Sequence, residues 1–342
     1  MRRRFCLALV QALCVLTLTG CGRFVAHRMV QSPNTYPSWL RPSARVTLAL
    51  DDYFSTNVPP REVRVGPPGA TLNYRVVEPR DYKYKTSFTN WMQNGRPHYS
   101  ISCHVRMPGE TNIWSTAPRG TVVLLHGYGM AQFAMTPWAL GLAHDGWRTV
   151  LVDLRGHGKS TGRRISYGIN EVHDLSQLLD ALERDGQLAQ PVAVMGDSYG
   201  AALAIRWRTV EPRLDKAIAI SPYAELSKAT LSIVRDNARW IPTAVIRAGL
   251  KQLPEVLKVP ADELDTLTTL TRRPVKLLLV TGEKDTIAPP AEVRRLFEAA
   301  EDGSEFFIIP NATHEAAPYF FTDLVPRVES WLKGGQRSAS VQ

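Results

Sequence analysis

The amino-acid sequence predicts an α/β protein built on a doubly wound, mostly parallel sheet with a small helical cap insertion. Three observations predict it. From Gly120 onward, short apolar runs alternate with longer amphipathic stretches, the pattern of parallel strands joined by crossover helices. A serine flanked by glycines stands between one such run and a helix-forming stretch. Between Pro222 and about Arg273 an insertion with spaced apolar residues interrupts the alternation.

The elements follow in chain order. The 342 residues are 44% hydrophobic and 21% charged, a globular composition with enough chain to bury a sizeable core. Arg2, Arg3 and Arg4 precede an apolar run from Phe5 to Leu18, then Leu18-Thr19-Gly20-Cys21. A basic start and a short apolar run read as an export signal over residues 1–20, too short to serve comfortably as a permanent membrane span. Residues 21–44, rich in Pro, Ser, Asn and Arg, read as a tether. Residues 45–336 read as the main domain, with the cap at about 223–273, and residues 337–342 as a disordered tail. Before Gly120, Thr71 to Val77 and Tyr99 to Met107 read as strands that add an antiparallel edge to the larger sheet.

The parallel strands are expected at Thr121–Leu125, Thr149–Asp153, Val192–Met195, Ala217–Ile220, Val275–Thr281 and Phe306–Ile309. Each is short and apolar, as strands buried on both faces must be. Asn170–Arg184 places Val172, Leu175, Leu178, Leu179 and Leu182 on one helical face, and Glu292–Ala300 reads as a second helix. Doubly wound sheets carry their sites beyond the carboxyl ends of the strands, so the chemistry is sought just after each run.

Charge and cysteine usage narrow the function. Removing Arg2, Arg3 and Arg4 from a net charge of +9 leaves +6. That excess suits an anionic lipid surface or acidic partners, although a solvated basic surface is the simpler reading. No basic block interleaved with aromatics points to nucleic acid. Of four cysteines, Cys6 and Cys14 fall in the leader and Cys21 at its end, so Cys103 alone remains in the domain. No internal disulfide is then available, and no Cys/His metal spacing occurs.

After Val192–Met195 comes Gly196-Asp197-Ser198-Tyr199-Gly200, then Ala201 to Ile205. A nucleophile elbow needs this order: a serine in a strained strand-to-helix turn, with glycines permitting close approach. After Thr121–Leu125 comes His126-Gly127-Tyr128-Gly129, and Asp153 to Ser160 follows the next run.

With these motifs the chain resembles the α/β-hydrolase family from about Gly120 to Lys333. The resemblance implies an oxyanion hole made by the backbone N–H groups of Tyr128 and Tyr199. It implies that His126 is structural, and that Asp153–Ser160 marks the fold, with His157 a packing residue. The family's triad runs Ser, acid, His along the chain. Of eight histidines only His314 lies beyond Ser198, which makes it the general base. Among carboxylates at a strand end, Asp285 is preferred because Gly282 to Asp285 with Pro289 matches the family's loop, and Glu283 is held in reserve.

The resemblance thus implies a serine hydrolase, esterase- or lipase-like, using Ser198, His314 and Asp285, with no metal and no organic cofactor. Its substrate is expected to be a small-molecule or lipid acyl compound. Peptidase, thioesterase and lysophospholipase activity stay open on the same fold, as does a catalytically inactive envelope binding protein. In the insertion, Trp240, Ile241, Ile246, Leu250, Leu253, Val256 and Leu257 either line an acyl pocket or pack the cap onto the core. Leu-Thr-Gly-Cys resembles the bacterial lipobox, which implies lipid attachment at Cys21 and anchoring in the cell envelope. Gly22, where aspartate would resemble an inner-membrane retention signal, points to the outer membrane of a two-membrane source, with the domain facing the periplasm. Oligomeric state is not legible.

Overall fold

The computed structural model describes residues 22–35, 48–49, 57–93, 96–106 and 117–334. Among these residues eleven strands are placed: β1 Leu48–Ala49, β2 Arg61–Val65, β3 Ala70–Val77, β4 Lys83–Gln93, β5 Arg96–Arg106, β6 Thr121–Leu125, β7 Arg148–Val152, β8 Val192–Asp197, β9 Leu214–Ile220, β10 Leu277–Gly282 and β11 Glu305–Ile309. Eight form one sheet in the order β11-β10-β9-β8-β6-β7-β3-β2. From β11 to β7 neighbours run parallel, and β3 and β2 close the edge antiparallel. Central strands β6, β8 and β10 are buried at every residue, which accounts for runs such as Thr-Val-Val-Leu-Leu without polar alternation.

The helices are α1 over residues 22–29, α2 Thr136–His144, α3 Glu171–Arg184, α4 Tyr199–Arg208, α5 Leu226–Asn237, α6 Thr243–Leu257, α7 Thr266–Arg272, α8 Pro290–Ala299 and α9 Phe321–Lys333. One face of the sheet packs against Leu175, Leu178 and Leu182 of α3, Leu203 and Trp207 of α4, and Val293 and Leu296 of α8. The other packs against Trp138 and Leu142 of α2 and Leu324, Val328 and Trp331 of α9. Each fully buried large apolar side chain contributes about 1.5–3 kcal/mol, so both layers hold the sheet rigid beneath its loops. The fold class is the expected one, including helices α5 to α7 in the insertion.

Two expectations need correction. Tyr99–Met107 does not extend the main sheet: β5 pairs antiparallel with β4 from Lys83↔Arg106 to Gln93↔Arg96, and parallel with β1, in a separate three-stranded sheet. Only β2 and β3 supply the antiparallel edge. The tether reading also fails for residues 22–35. Ala26 and Val30 are fully buried, and Cβ atoms built at Gly22 and Gly249 would meet Ala248 and Val25, so α1 lies tightly on α6. Beyond it, Gln31 bridges to Arg164, and the Asn34 amide donates to the carbonyls of Gly158 and Ser160. Val25, Ala26, Met29 and Val30 form a helical apolar stripe that the Pro- and Ser-rich stretch after it obscures. Residues 1–21, 36–44 and 335–342, and with them Cys21, the leader and the tail, lie outside the described residues.

Candidate active site

Five loops at the carboxyl edge of the parallel strands converge, those after β6, β7, β8, β10 and β11. Ser198 directly follows β8 with φ 51° and ψ −110°, a left-handed and strained conformation for a non-glycine residue. The turn is possible because its neighbours lack side chains. A Cβ at Gly196 would lie 2.1 Å from the carbonyl oxygen of Gly200, and one at Gly200 would lie 2.3 Å from that of Leu125. The Ser198 N–H donates to the Ile220 carbonyl at 2.8 Å, which fixes the turn to the adjacent strand.

The Ser198 hydroxyl lies 2.8 Å from His314 Nε2, and His314 Nδ1 lies 2.8 Å from Asp285 Oδ2. The other Asp285 oxygen accepts the N–H groups of Ile287 at 2.9 Å and Ala288 at 2.7 Å. With Asp285 accepting from Nδ1–H, Nε2 is left to accept the serine proton. Glu283, the reserve acid, is exposed and accepts the Asn311 N–H instead; it braces the histidine loop and does not touch the imidazole.

Burial by itself would raise the Asp285 pKa, but His314 beside it and the Ala288 N–H hold it below the usual carboxylate range. Burial would lower that of His314, but Asp285, Asp197 and Glu315 outweigh it and raise the ring to about 9. The imidazole must be neutral to accept a proton, so kcat/KM is expected to climb with pH along a limb centred near 9, well above the ordinary 6.5, and to level off only beyond it. The stability contribution runs the other way: it is complete below 6.5 and is lost as pH rises through about 9. A pH–rate profile alongside a melting series checks both, and a limb at or below 6.5 contradicts the argument.

Tyr199 opens α4, so its N–H is among the first-turn amides without an intrahelical acceptor. Gly127, next to Tyr128, abuts Ser198: a Cβ there would sit 3.6 Å from Ser198 Cβ. The Tyr128 and Tyr199 rings meet edge to face at 6.1 Å. His126 is fully buried, with Nδ1 against the Gly127 carbonyl and Nε2 accepting the Leu154 N–H; burial pushes its pKa down to about 4. His157 is equally buried and stacks on Tyr199. Both rings are neutral struts behind the elbow. The loop after β7 is tied down by Asp153, which accepts the Gln132 and Lys159 N–H groups, and by the buried Arg155–Asp174 pair at 2.6 Å.

In the cap, Ile246 and Leu253 are buried and Leu250, Val256 and Leu257 pack against the core cluster that contains Leu253, while Trp240 is 78% exposed. The packed residues fasten the cap. Among the described residues no group of three or more His, Cys, Asp or Glu is arranged to hold a metal ion, and no helix is long and apolar enough to cross a membrane. Sequence reading missed Asp197, which was visible inside the elbow motif, and the wall that Phe88 forms against Tyr319, stacked at 5.5 Å, which no local pattern announces.

Comparison with known proteins agrees with this architecture. The family described as Serine aminopeptidase, S33 matches residues 116–257, a span that includes Ser198 and stops before Asp285 and His314. A monoacylglycerol lipase from Mycolicibacterium smegmatis is 25% identical over 242 residues, covering 60% of this chain and 85% of that protein. An uncharacterised Bacillus subtilis protein, YqkD, is 23% identical over 205 residues, covering 57% of this chain and 64% of its own length. Among solved structures, the Pyrococcus furiosus esterase Pf2001 superposes with a TM-score of 0.60 at 20% identity, covering 89% of this chain and 97% of that one. A puromycin-hydrolysing peptidase of Mycobacterium tuberculosis superposes with a TM-score of 0.56 at 17% identity, over 82% and 40%. The fold is that of the α/β-hydrolases. The family match and these relatives support hydrolase activity for the chain.

Proposed function

We propose that this protein is a serine hydrolase of carboxylic esters or related acyl bonds, acting through an acyl-enzyme on Ser198. The observation that carries the proposal is the unbroken relay from Ser198 Oγ through His314 to Asp285, with both contacts at 2.8 Å. Oγ attacks the acyl carbon while His314 Nε2 takes its proton, and the developing oxyanion is held by the Tyr128 and Tyr199 amides. Collapse breaks the bond to the leaving group, which departs with the proton from His314. Water repeats the sequence, releasing the acid and restoring the serine. Asp285 orients the imidazole and stabilises its charged form.

The esterase and lipase likenesses favour an ester. The family description and the puromycin-hydrolysing neighbour favour an amide as the second reading. The test is a fluorophosphonate probe followed by esters of graded chain length with peptide and thioester controls. Labelling at Ser198 and turnover of esters are expected; failure to label folded protein overturns the assignment.

The cellular setting belongs to the same proposal: a cell-envelope lipoprotein held to the membrane through a lipid on Cys21, with outer-membrane sorting favoured by Gly22 if the source has two membranes. The support is the order of basic residues, apolar run and Leu-Thr-Gly-Cys. Cys21→Ser is expected to move the protein from the membrane to the soluble fraction, and persistent membrane association refutes the anchor.

A further inference from the structure

Asp197, immediately before the nucleophile, takes no part in the relay. It is only 6% exposed. Its Oδ1 is buried without a hydrogen-bond partner, and no described residue donates to Oδ2. A buried carboxyl with nothing to bind is costly, and such orphans gather where a ligand completes the bonding. Its placement fits that role. A single point, the Cβ position of Gly127, lies 3.3 Å from Asp197 Oδ2 and 3.6 Å from Ser198 Cβ, so the carboxyl and the nucleophile flank the same side of the loop that carries Tyr128.

The charged and titratable groups facing Asp197 are His314, Asp285 and Glu315, and Tyr319 also feels its charge. His314 favours ionisation of Asp197, and the two carboxylates oppose it. Tyr319 also lines a cleft of about 340 Å³ in which Phe88, Phe320 and Phe321 stand beside polar residues such as Thr86 and Asp323. The reacting serine thus has an unsatisfied carboxyl beside it, and the Tyr319 ring lies close enough to feel its charge.

We infer that Asp197 is a specificity-determining residue that accepts a hydrogen bond from a hydroxyl or ammonium group borne by the substrate next to its scissile acyl bond. The inference rests on the hydrolase reading above. A polar group built to meet a substrate donor discriminates strongly against the analogue that lacks it, because the partner is then left unpaired. A plain alkyl ester is bound at the cost of leaving Asp197 unsatisfied. A hydroxyl-bearing ester, such as a glycerol monoester, or an ester of an α-amino acid completes the bonding.

The stability of the protein should record the same strain. Burial raises the Asp197 carboxyl to about 7, so its penalty is absent below the ordinary 3.8, grows as pH rises and is complete above about 7. Asp197→Asn, which cannot ionise, should melt higher than the parent at pH 8 and show no such gain at pH 4.

The deciding experiment compares three esters with one acyl chain length: an alkyl ester, its hydroxyl-bearing analogue and an ammonium-bearing analogue. They are measured on the wild type, Asp197→Asn and Asp197→Ala, with melting temperature as the folding check. The wild type should prefer one donor-bearing ester by about ten- to a hundred-fold in kcat/KM, the range of a hydrogen bond to a charged group. Both variants should bring that ratio close to one, mainly through KM. Preference for the hydroxyl and preference for the ammonium each support the inference and distinguish the two donors. Equal rates on all three esters overturn it, as does a variant that slows all three alike and merely shifts the pH limb. In either case the hydrolase reading survives. Absence of turnover together with absence of fluorophosphonate labelling removes both.

Discussion

Ser198→Ala is expected to abolish hydrolysis, with kcat falling by about 10⁶-fold, because serine, histidine and carboxylate act as a unit and loss of the nucleophile costs about as much as loss of all three. What remains is the contribution of binding and of the amides around Tyr128 and Tyr199. The variant should fold. An alanine in place of Ser198 keeps the strained turn that Gly196 and Gly200 permit, and the exchange removes one hydroxyl that is bonded only to His314 among the described residues. Steady-state rates, circular dichroism and mass spectrometry of the fluorophosphonate adduct check the prediction together. Activity within tenfold of the parent, in protein that no longer labels, means that another group does the chemistry.

Asp285→Asn should cost about 10⁴-fold in kcat, and the structure shows why the loss should be so large for an exchange of nearly equal shape. The amides of Ile287 and Ala288 both point at Asp285 Oδ1, so the carboxamide must keep its carbonyl oxygen there and turn its NH₂ toward His314. Nδ1 then has to accept, the ring proton moves to Nε2, and the serine meets a donor where it needs an acceptor. Loss of the neighbouring charge also lowers the His314 pKa, so residual activity should reach its plateau at a lower pH. Kinetics across pH 5 to 10 tests this. A mild loss, with the limb unmoved, means that Asp285 does not govern the ring. Glu283→Gln is the control: its carboxylate serves Asn311, and the position of the limb should not change.

What the sequence disclosed follows from the range of the forces involved. β6 was legible to the residue because a strand buried on both faces carries a nearly unbroken apolar run, and β8 and β10 differed only by a few residues at their ends. β5 was legible as a strand but not as a member of a second sheet, since pairing depends on a partner distant in the chain. Helix α1 was lost because its stripe is four residues wide and its partner, α6, lies more than 200 positions away. Ser198 stood out through a local turn requirement, and His314 through chain order. The preference for Asp285 over Glu283 came from resemblance to a family loop; in the fold the two carboxyls serve different partners, a difference that spacing does not encode. No role for Asp197 is legible in the sequence, because the want of a donor shows only once its neighbours are assembled around it.

The docking of α1 bears on how the molecule meets a surface. The described part of α1 includes residue 22, one position after the proposed acylation point, and Gly22 packs against Ala248 of the cap. Fatty chains at that point would act as a pivot more than a leash: the body could swivel at the bilayer but not wander from it. Reach would then extend to compounds lying in the same leaflet, ahead of those that approach through bulk water.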